Sequence, residues 1–196
     1  MWLDLPMQHF TVHRHDTLTV RTDRGTAEGR ILGVAPSGTR QRATYAPLGR
    51  TLVLVDIENL MGGPLRGIDV MEDAYDQLLR SVLIRKNDHV VVAANHRLAV
   101  DVKIAWPACR VIAGGGADGA DEALLAELSD VAWISERFDR VIIGSGDGIF
   151  LEAVHALRSV GLPVGVISRA ESLSSSLRRA ASFVRWIEDP NLKVAA

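Results

Sequence analysis

Val141-Ile142-Ile143-Gly144-Ser145-Gly146-Asp147-Gly148-Ile149-Phe150 reads as a hydrophobic strand that ends in small residues and a carboxylate. A second such strand, Thr51 to Val55, runs into Asp56-Ile57-Glu58-Asn59. Both are nearly continuous in Val, Ile and Leu, the pattern of strands covered on two faces. The pattern recurs at His89–Ala93, Arg110–Ala113, Pro163–Ile167 and Phe183–Ile187. Helical stripes lie between these segments: Met71, Tyr75, Leu78 and Val82; Leu124, Leu128 and Val131; Phe150, Val154 and Leu157; Leu173, Leu177 and Ala181. Arg97 to Ala105 predicts a shorter helix that stops before Pro107. This alternation predicts an α/β fold, a three-layer α/β/α sandwich around a mainly parallel sheet of five or six strands with right-handed crossovers.

The pattern begins only at residue 51, so the expected domain is 51–196, preceded by a leader over 1–50. That leader holds seven arginines, four acids and three of the six histidines, His9, His13 and His15. Thr17–Val20 and Arg30–Val34 flank Asp23-Arg24-Gly25 as a short hairpin, marginal by itself, and the stretch from Pro36 to Pro47 reads as a linker. A solvated, partly disordered leader is expected rather than a histidine metal site. With 196 residues, 47% of them hydrophobic, the chain can bury one ordinary core. A net charge of −2 leaves nucleic-acid binding to local patches. The single cysteine, Cys109, excludes an intrachain disulfide and a cysteine-based zinc site and suits a reducing compartment. No apolar run approaches the roughly 20 residues of a membrane span, and no secretory signal is visible, so a cytoplasmic location without membrane contact is expected.

In parallel α/β sheets the ligand site lies at the carboxyl ends of the strands. Those ends carry Asp56, Glu58 and Asn59; Asn95, His96 and Arg97; Gly114-Gly115-Gly116-Ala117-Asp118-Gly119-Ala120-Asp121; Ser145, Gly146 and Asp147; and Ser168, Arg169 and Glu171. Asp56, Asp121 and Asp147 are hard oxygen donors and Asn59 adds a neutral one, a set suited to Mg²⁺ or Mn²⁺. Without a cation, two carboxylates about 5 Å apart repel by roughly 3 kcal/mol at an effective dielectric near 20. A bound metal relieves that repulsion and activates water toward a phosphodiester. Several of these residues have plainer readings. Asp56 also suits a cap of the following turn, and Asp118 reads first as a helix N-cap. Glu58 reads as solvent-facing or as a spare ligand, and His96 and Arg97 as phosphate contacts or a solvated loop. The glycine run lacks the Lys-Ser/Thr of a phosphate loop and is discounted as one.

The motifs, in this order, resemble those of the NYN domains of the PIN-like ribonuclease superfamily. Asp56-Ile57-Glu58-Asn59 matches the family's Asp-x-x-Asn after the first strand. Asp118-Gly119-Ala120-Asp121 fits its Lys-Gly-x-Asp, and Ser145-Gly146-Asp147-Gly148-Ile149-Phe150 its Ser-Gly-Asp-x-Asp-Phe. The segment from Pro163 to Trp186 is similar to its last strand–helix–strand, so the resemblance spans roughly 51–188. It implies a Mg²⁺- or Mn²⁺-dependent endoribonuclease with Asp56, Asn59, Asp121 and Asp147 as the acidic catalytic site. Asp56, Asp121 and Asp147 are the expected metal ligands, with Asn59 and Ser145 placing phosphate and Arg97 and Arg169 touching the RNA backbone. Two departures stand out: the family's second aspartate is Ile149 here, and its lysine is Asp118. Asp118, Glu58 or Glu152 are candidates to restore the lost carboxylate. The alternative expectation is a weakly active or inactive module that binds RNA or a protein. Trp106, Trp133 and Trp186 read either as core or as a homodimer contact.

Overall fold

The computed structural model describes residues 10–13, 17–22, 25–32, 44–47, 49–62, 67–82, 84–116 and 118–188. The chain divides into two units between Gly49 and Arg50. In the first, β1 (Phe10–His13), β2 (Thr17–Thr22), β3 (Gly25–Leu32) and β4 (Thr44–Pro47) form an antiparallel sheet in chain order. The expected hairpin is the β2–β3 pair, with Thr17 opposite Arg30 and Thr22 opposite Gly25. β1 and β4 are four residues each, too short for alternation to announce them, and β4 lies inside the stretch expected to be a linker. Among the described residues of this unit, then, the expected hairpin has a further strand on each side. Pairing on both sides gives the hairpin the extra strands it lacks alone. His9, His15 and residues 33–43 lie outside the described residues.

The second unit is a six-stranded parallel sheet, ordered β10-β9-β8-β5-β6-β7. Its strands are β5 (Thr51–Asp56), β6 (His89–Asn95), β7 (Arg110–Gly114), β8 (Arg140–Gly144), β9 (Val164–Ser168) and β10 (Phe183–Trp186). The helices are α1 (Ile57–Met61), α2 (Ile68–Ser81), α3 (Ala99–Ala105), α4 (Gly119–Leu128), α5 (Val131–Arg137), α6 (Leu151–Ser159) and α7 (Ser175–Ala180). Successive residues of β5 feed opposite cores. Val53 and Val55 pack with α1, α2 and α3, whereas Leu52 and Leu54 pack with α4 to α7. Both faces of the sheet are thereby covered, as the unbroken apolar strands predict. One expected stripe divides: α4 ends at Leu128, and Asp130 caps a separate α5 by accepting from the Trp133 N–H at 2.9 Å.

Trp106 is fully buried and donates its indole N–H to the Met71 carbonyl at 2.8 Å, so it belongs to the core, not to a subunit contact. Trp133 and Trp186 remain about half-exposed. Cys109 is free and buried. Among the described residues no helix is long and apolar enough to cross a membrane. The chain runs outward from β5 through β6 to β7, then returns to β8 on the other side of β5. That reversal opens a crevice at the carboxyl ends of β5 and β8, the ends that carry Asp56 and Ser145-Gly146-Asp147.

Candidate active site

The two-residue period of β5 aims Asp56. Leu52 and Leu54 face the core beneath α4, so Asp56 points the same way, toward the first turn of α4 and Asp121. Asp56 is only 4% exposed. Its Oδ1 accepts from the Glu58 and Asn59 backbone N–H groups, each at 3.2 Å, and so caps α1. The capping reading and the acidic-site reading are thus true of the same carboxyl.

Asp121 is carried in by a contact between two backbones. A β-carbon on Gly114 would lie 2.0 Å from the Gly119 carbonyl carbon and oxygen. Only the absence of side chains lets α4 start against the end of β7. This is what the glycine run provides in place of a phosphate loop, and its signal was Gly114 and Gly119 flanking the turn.

The two carboxyls perturb each other. Burial lifts Asp56 from 3.8 to about 7; its cap bond to the Asn59 N–H opposes the rise, and Asp121 and then Glu58 add to it. Burial also raises Asp121, partly offset by the proton shared with Asp56 and reinforced by the charges of Asp147, Asp118 and Glu58. Every charge acting on the pair is another carboxylate. Asp121 Oδ1 is moreover buried with no hydrogen-bond partner.

A pH dependence follows. A carboxyl raised by folding holds its proton longer in the native state, so its contribution to stability is full below about pH 4 and is lost as pH rises to about 7. Thermal melts in chelator should show Asp56 costing the metal-free protein on the order of a few kcal/mol across that window. A flat profile between pH 4 and 7 would contradict this.

The other expected residues divide. Asp147 is exposed, and its Oδ1 accepts from the Ile149 N–H at 3.0 Å. Asp118 occupies the N-cap position of α4 but caps nothing, against expectation; its exposed carboxylate is free to act on Asp121. Glu58 neither faces solvent nor stands spare. Its two oxygens accept from the Asn95 backbone N–H at 3.2 Å and the Asn95 side-chain amide at 2.7 Å, which joins α1 to the end of β6. Glu152 is exposed in the first turn of α6. Ile149, where the resemblance places an acid, is 43% exposed.

Asn59 does not offer its oxygen to the crevice, because Oδ1 accepts from the Gly146 N–H at 2.9 Å. That bond fixes the amide orientation and leaves the NH₂ as the outward donor. Ser145 is fully buried, and its hydroxyl accepts from the Asp147 N–H at 3.2 Å, so it shapes the turn rather than meeting phosphate. Arg169 is turned inward, 9% exposed, and paired with Glu171 at 2.5 Å, so it is not available to an RNA backbone. Arg97 and His96 are exposed at the end of β6, with the Arg97 N–H held by Asn95.

Among the described residues no three His, Cys, Asp or Glu side chains are arranged to hold an ion. The expected ligand set of Asp56, Asp121 and Asp147, with Asp118 or Glu58 added, is therefore not assembled around one point. Backbone N–H groups have fastened one oxygen each of Asp56 and Asp147. The chemistry still suits a hard cation. All donors are oxygens, one of them is buried and unsatisfied, and such cations keep several waters and need few protein carboxylates.

Among solved structures, a protein of unknown function from Vibrio parahaemolyticus matches at a TM-score of 0.53 and 19% identity. The match covers 73% of this chain and 95% of that one, a likeness of fold alone. MurG of Acinetobacter baumannii matches at a TM-score of 0.38 and 16% identity, over 69% of this chain and 40% of its own, too distant to carry an argument. No curated protein matches. The NYN domain model matches residues 50–188, a span that contains all six parallel strands and the acids at their ends. The chain belongs to the NYN domain family, and its second unit has the PIN-like nuclease fold.

Proposed function

We propose that this domain is a divalent-metal-dependent endoribonuclease working in the crevice between β5 and β8. The observation that carries the reading is the pairing of buried Asp56 with half-buried Asp121, both raised first by burial and then by the charges of further carboxylates. Asp56 and Asp121, with Asp147, would hold Mg²⁺ or Mn²⁺; the ion, when bound, supplies charge neutralisation and Lewis acidity at a phosphodiester. Asn59 would offer its NH₂ to a phosphate oxygen, and Arg97, exposed after β6, would contact the RNA backbone. Asp121 would also orient the attacking water, and Asp147 is the exposed acid of the set. Glu58 and Ser145 hold the loops in place. The single cysteine suits a cytoplasmic setting.

The test is cleavage of a generic single-stranded RNA with Mn²⁺, with and without chelator, by wild type and by Asp147→Asn. Asp147→Asn should lower cleavage by about 10²-fold or more, as loss of one transition-state electrostatic contact does. Its unfolding free energy should stay within the roughly 0.5 kcal/mol typical of surface changes. Cleavage that survives both chelator and substitution ends the assignment. The exposed Ile149 in place of an acid favours a second reading, an RNA- or protein-binding module on the same fold. No Mn²⁺ affinity below several millimolar by titration would select it.

A further inference from the structure

Apart from Asp56, the only buried charged side chain among the described residues is Arg169, and no described carboxylate of the crevice pairs with it. Its acid partner is Glu171, which is itself 62% exposed. The guanidinium lies under the end of α1, where Gly62 closes the helix at φ 73°. A β-carbon on Gly62 would lie 1.9 Å from Cζ of Arg169, so the arginine fills the space a side chain there would need. From that place its Nη2 donates to the Asn59 carbonyl at 3.4 Å and to the Ser172 hydroxyl.

Those contacts lead directly to the turn that carries Asp147. The Asn59 side chain accepts from the Gly146 N–H at 2.9 Å, and the Gly146 carbonyl accepts from the Ser174 N–H at 2.8 Å. Gly146 is clamped between the two sides, since a β-carbon on it would lie 2.3 Å from the Ser172 carbonyl oxygen and 2.6 Å from the Ser168 hydroxyl. Arg169 touches both jaws of the clamp, α1 on one side and the loop after β9 on the other. Its Nε is buried without a partner, a costly arrangement for a cation that serves only packing.

We propose that Arg169 is a positioning residue whose buried guanidinium ties the ends of β5, β8 and β9 together and so sets where Asp147 stands relative to Asp56 and Asp121. It touches no substrate. The consequence for cleavage rests on the nuclease reading; the tie itself does not.

The experiment uses the full chain, metal-free, and compares amide hydrogen exchange by NMR in wild type, Arg169→Met and Arg169→Lys. In Arg169→Met, protection at Gly146 and Ser174 should fall about tenfold or more while Val53 and Ile142 in the sheet keep theirs, the mark of local opening. Arg169→Lys, which keeps the charge and one donor, should recover part of it. Unchanged protection at Gly146 overturns the proposal, and so does an equal loss at every amide, which would make Arg169 merely structural. Should Arg169→Met not fold, the same comparison in Arg169→Lys decides. With Mn²⁺ and RNA, kcat should fall about 100-fold at unchanged KM, the scale of a slightly misplaced group. A raised KM at unchanged kcat would make Arg169 a substrate contact and overturn the proposal. Wild type that cuts no RNA would remove the nuclease reading, and the exchange result would still decide the role of Arg169.

Discussion

Asp56→Asn is expected to lower RNA cleavage by about 10³-fold, or about 4 kcal/mol of transition-state stabilisation, while raising the melting temperature of the metal-free protein. The two effects have one cause. Asn keeps the oxygen that accepts from the Glu58 and Asn59 N–H groups, so the cap of α1 survives. It removes the charge that burial and Asp121 oppose and that lifts Asp56 to about 7. Above neutral pH the gain should be on the order of 1–3 kcal/mol, several degrees for a chain of this size. Mn²⁺ should then no longer raise the melting temperature, because a carboxylate proposed to hold it is gone. A variant that cuts like wild type, or that melts lower in chelator at pH 8, would dissolve the link between buried charge and catalysis.

Gly114→Ala is the second large expectation. The new methyl would lie 2.0 Å from the Gly119 backbone, with no flexible side chain able to yield. Either α4 moves off the sheet or β7 bends, at a cost of about 2–3 kcal/mol as overpacking commonly exacts. Because Asp121 rides in the first turn of α4, the shift should also part it from Asp56. A displacement near 1 Å should cost about 100-fold in cleavage. Gly115→Ala is the control, since its β-carbon meets only His96 Nε2 at 3.4 Å, an ordinary contact. Melting and cleavage should both be nearly unchanged there. Equal behaviour of the two variants would refute the contact.

The sheet was legible because its strands are buried on both faces, and Val53, Ile142 and Val166 need no partner to be recognised as core. The acids at the strand ends were legible for the same reason: a carboxylate that closes an apolar run has few other places to be. What could not be read is the direction of each side chain beyond the last strand residue. There the two-residue alternation stops, and hydrogen bonds between distant segments decide. Glu58 turns to Asn95, 37 residues away, and Arg169 reaches Asn59 across 110. Asn59 gives its oxygen to Gly146, 87 residues on. None of these pairings leaves a local pattern. Ser145 and Arg169, expected to meet substrate, therefore proved to be internal ties. The reverse error occurred at Asp118, which takes the N-cap position that local spacing suggested but makes no side-chain cap bond there.

The place of β5 in the sheet has a consequence for how this protein is made. It is the first strand of its unit to leave the ribosome, yet it lies at the centre, and Thr51 is registered against Arg140, 89 residues later. Until that segment emerges, a nascent chain exposes one side of a strand that is wholly apolar from Leu52 to Val55, the kind of unpaired border that invites intermolecular association. A chain that stops short of Arg140 would therefore leave that side of β5 unpaired and lack Asp147 altogether.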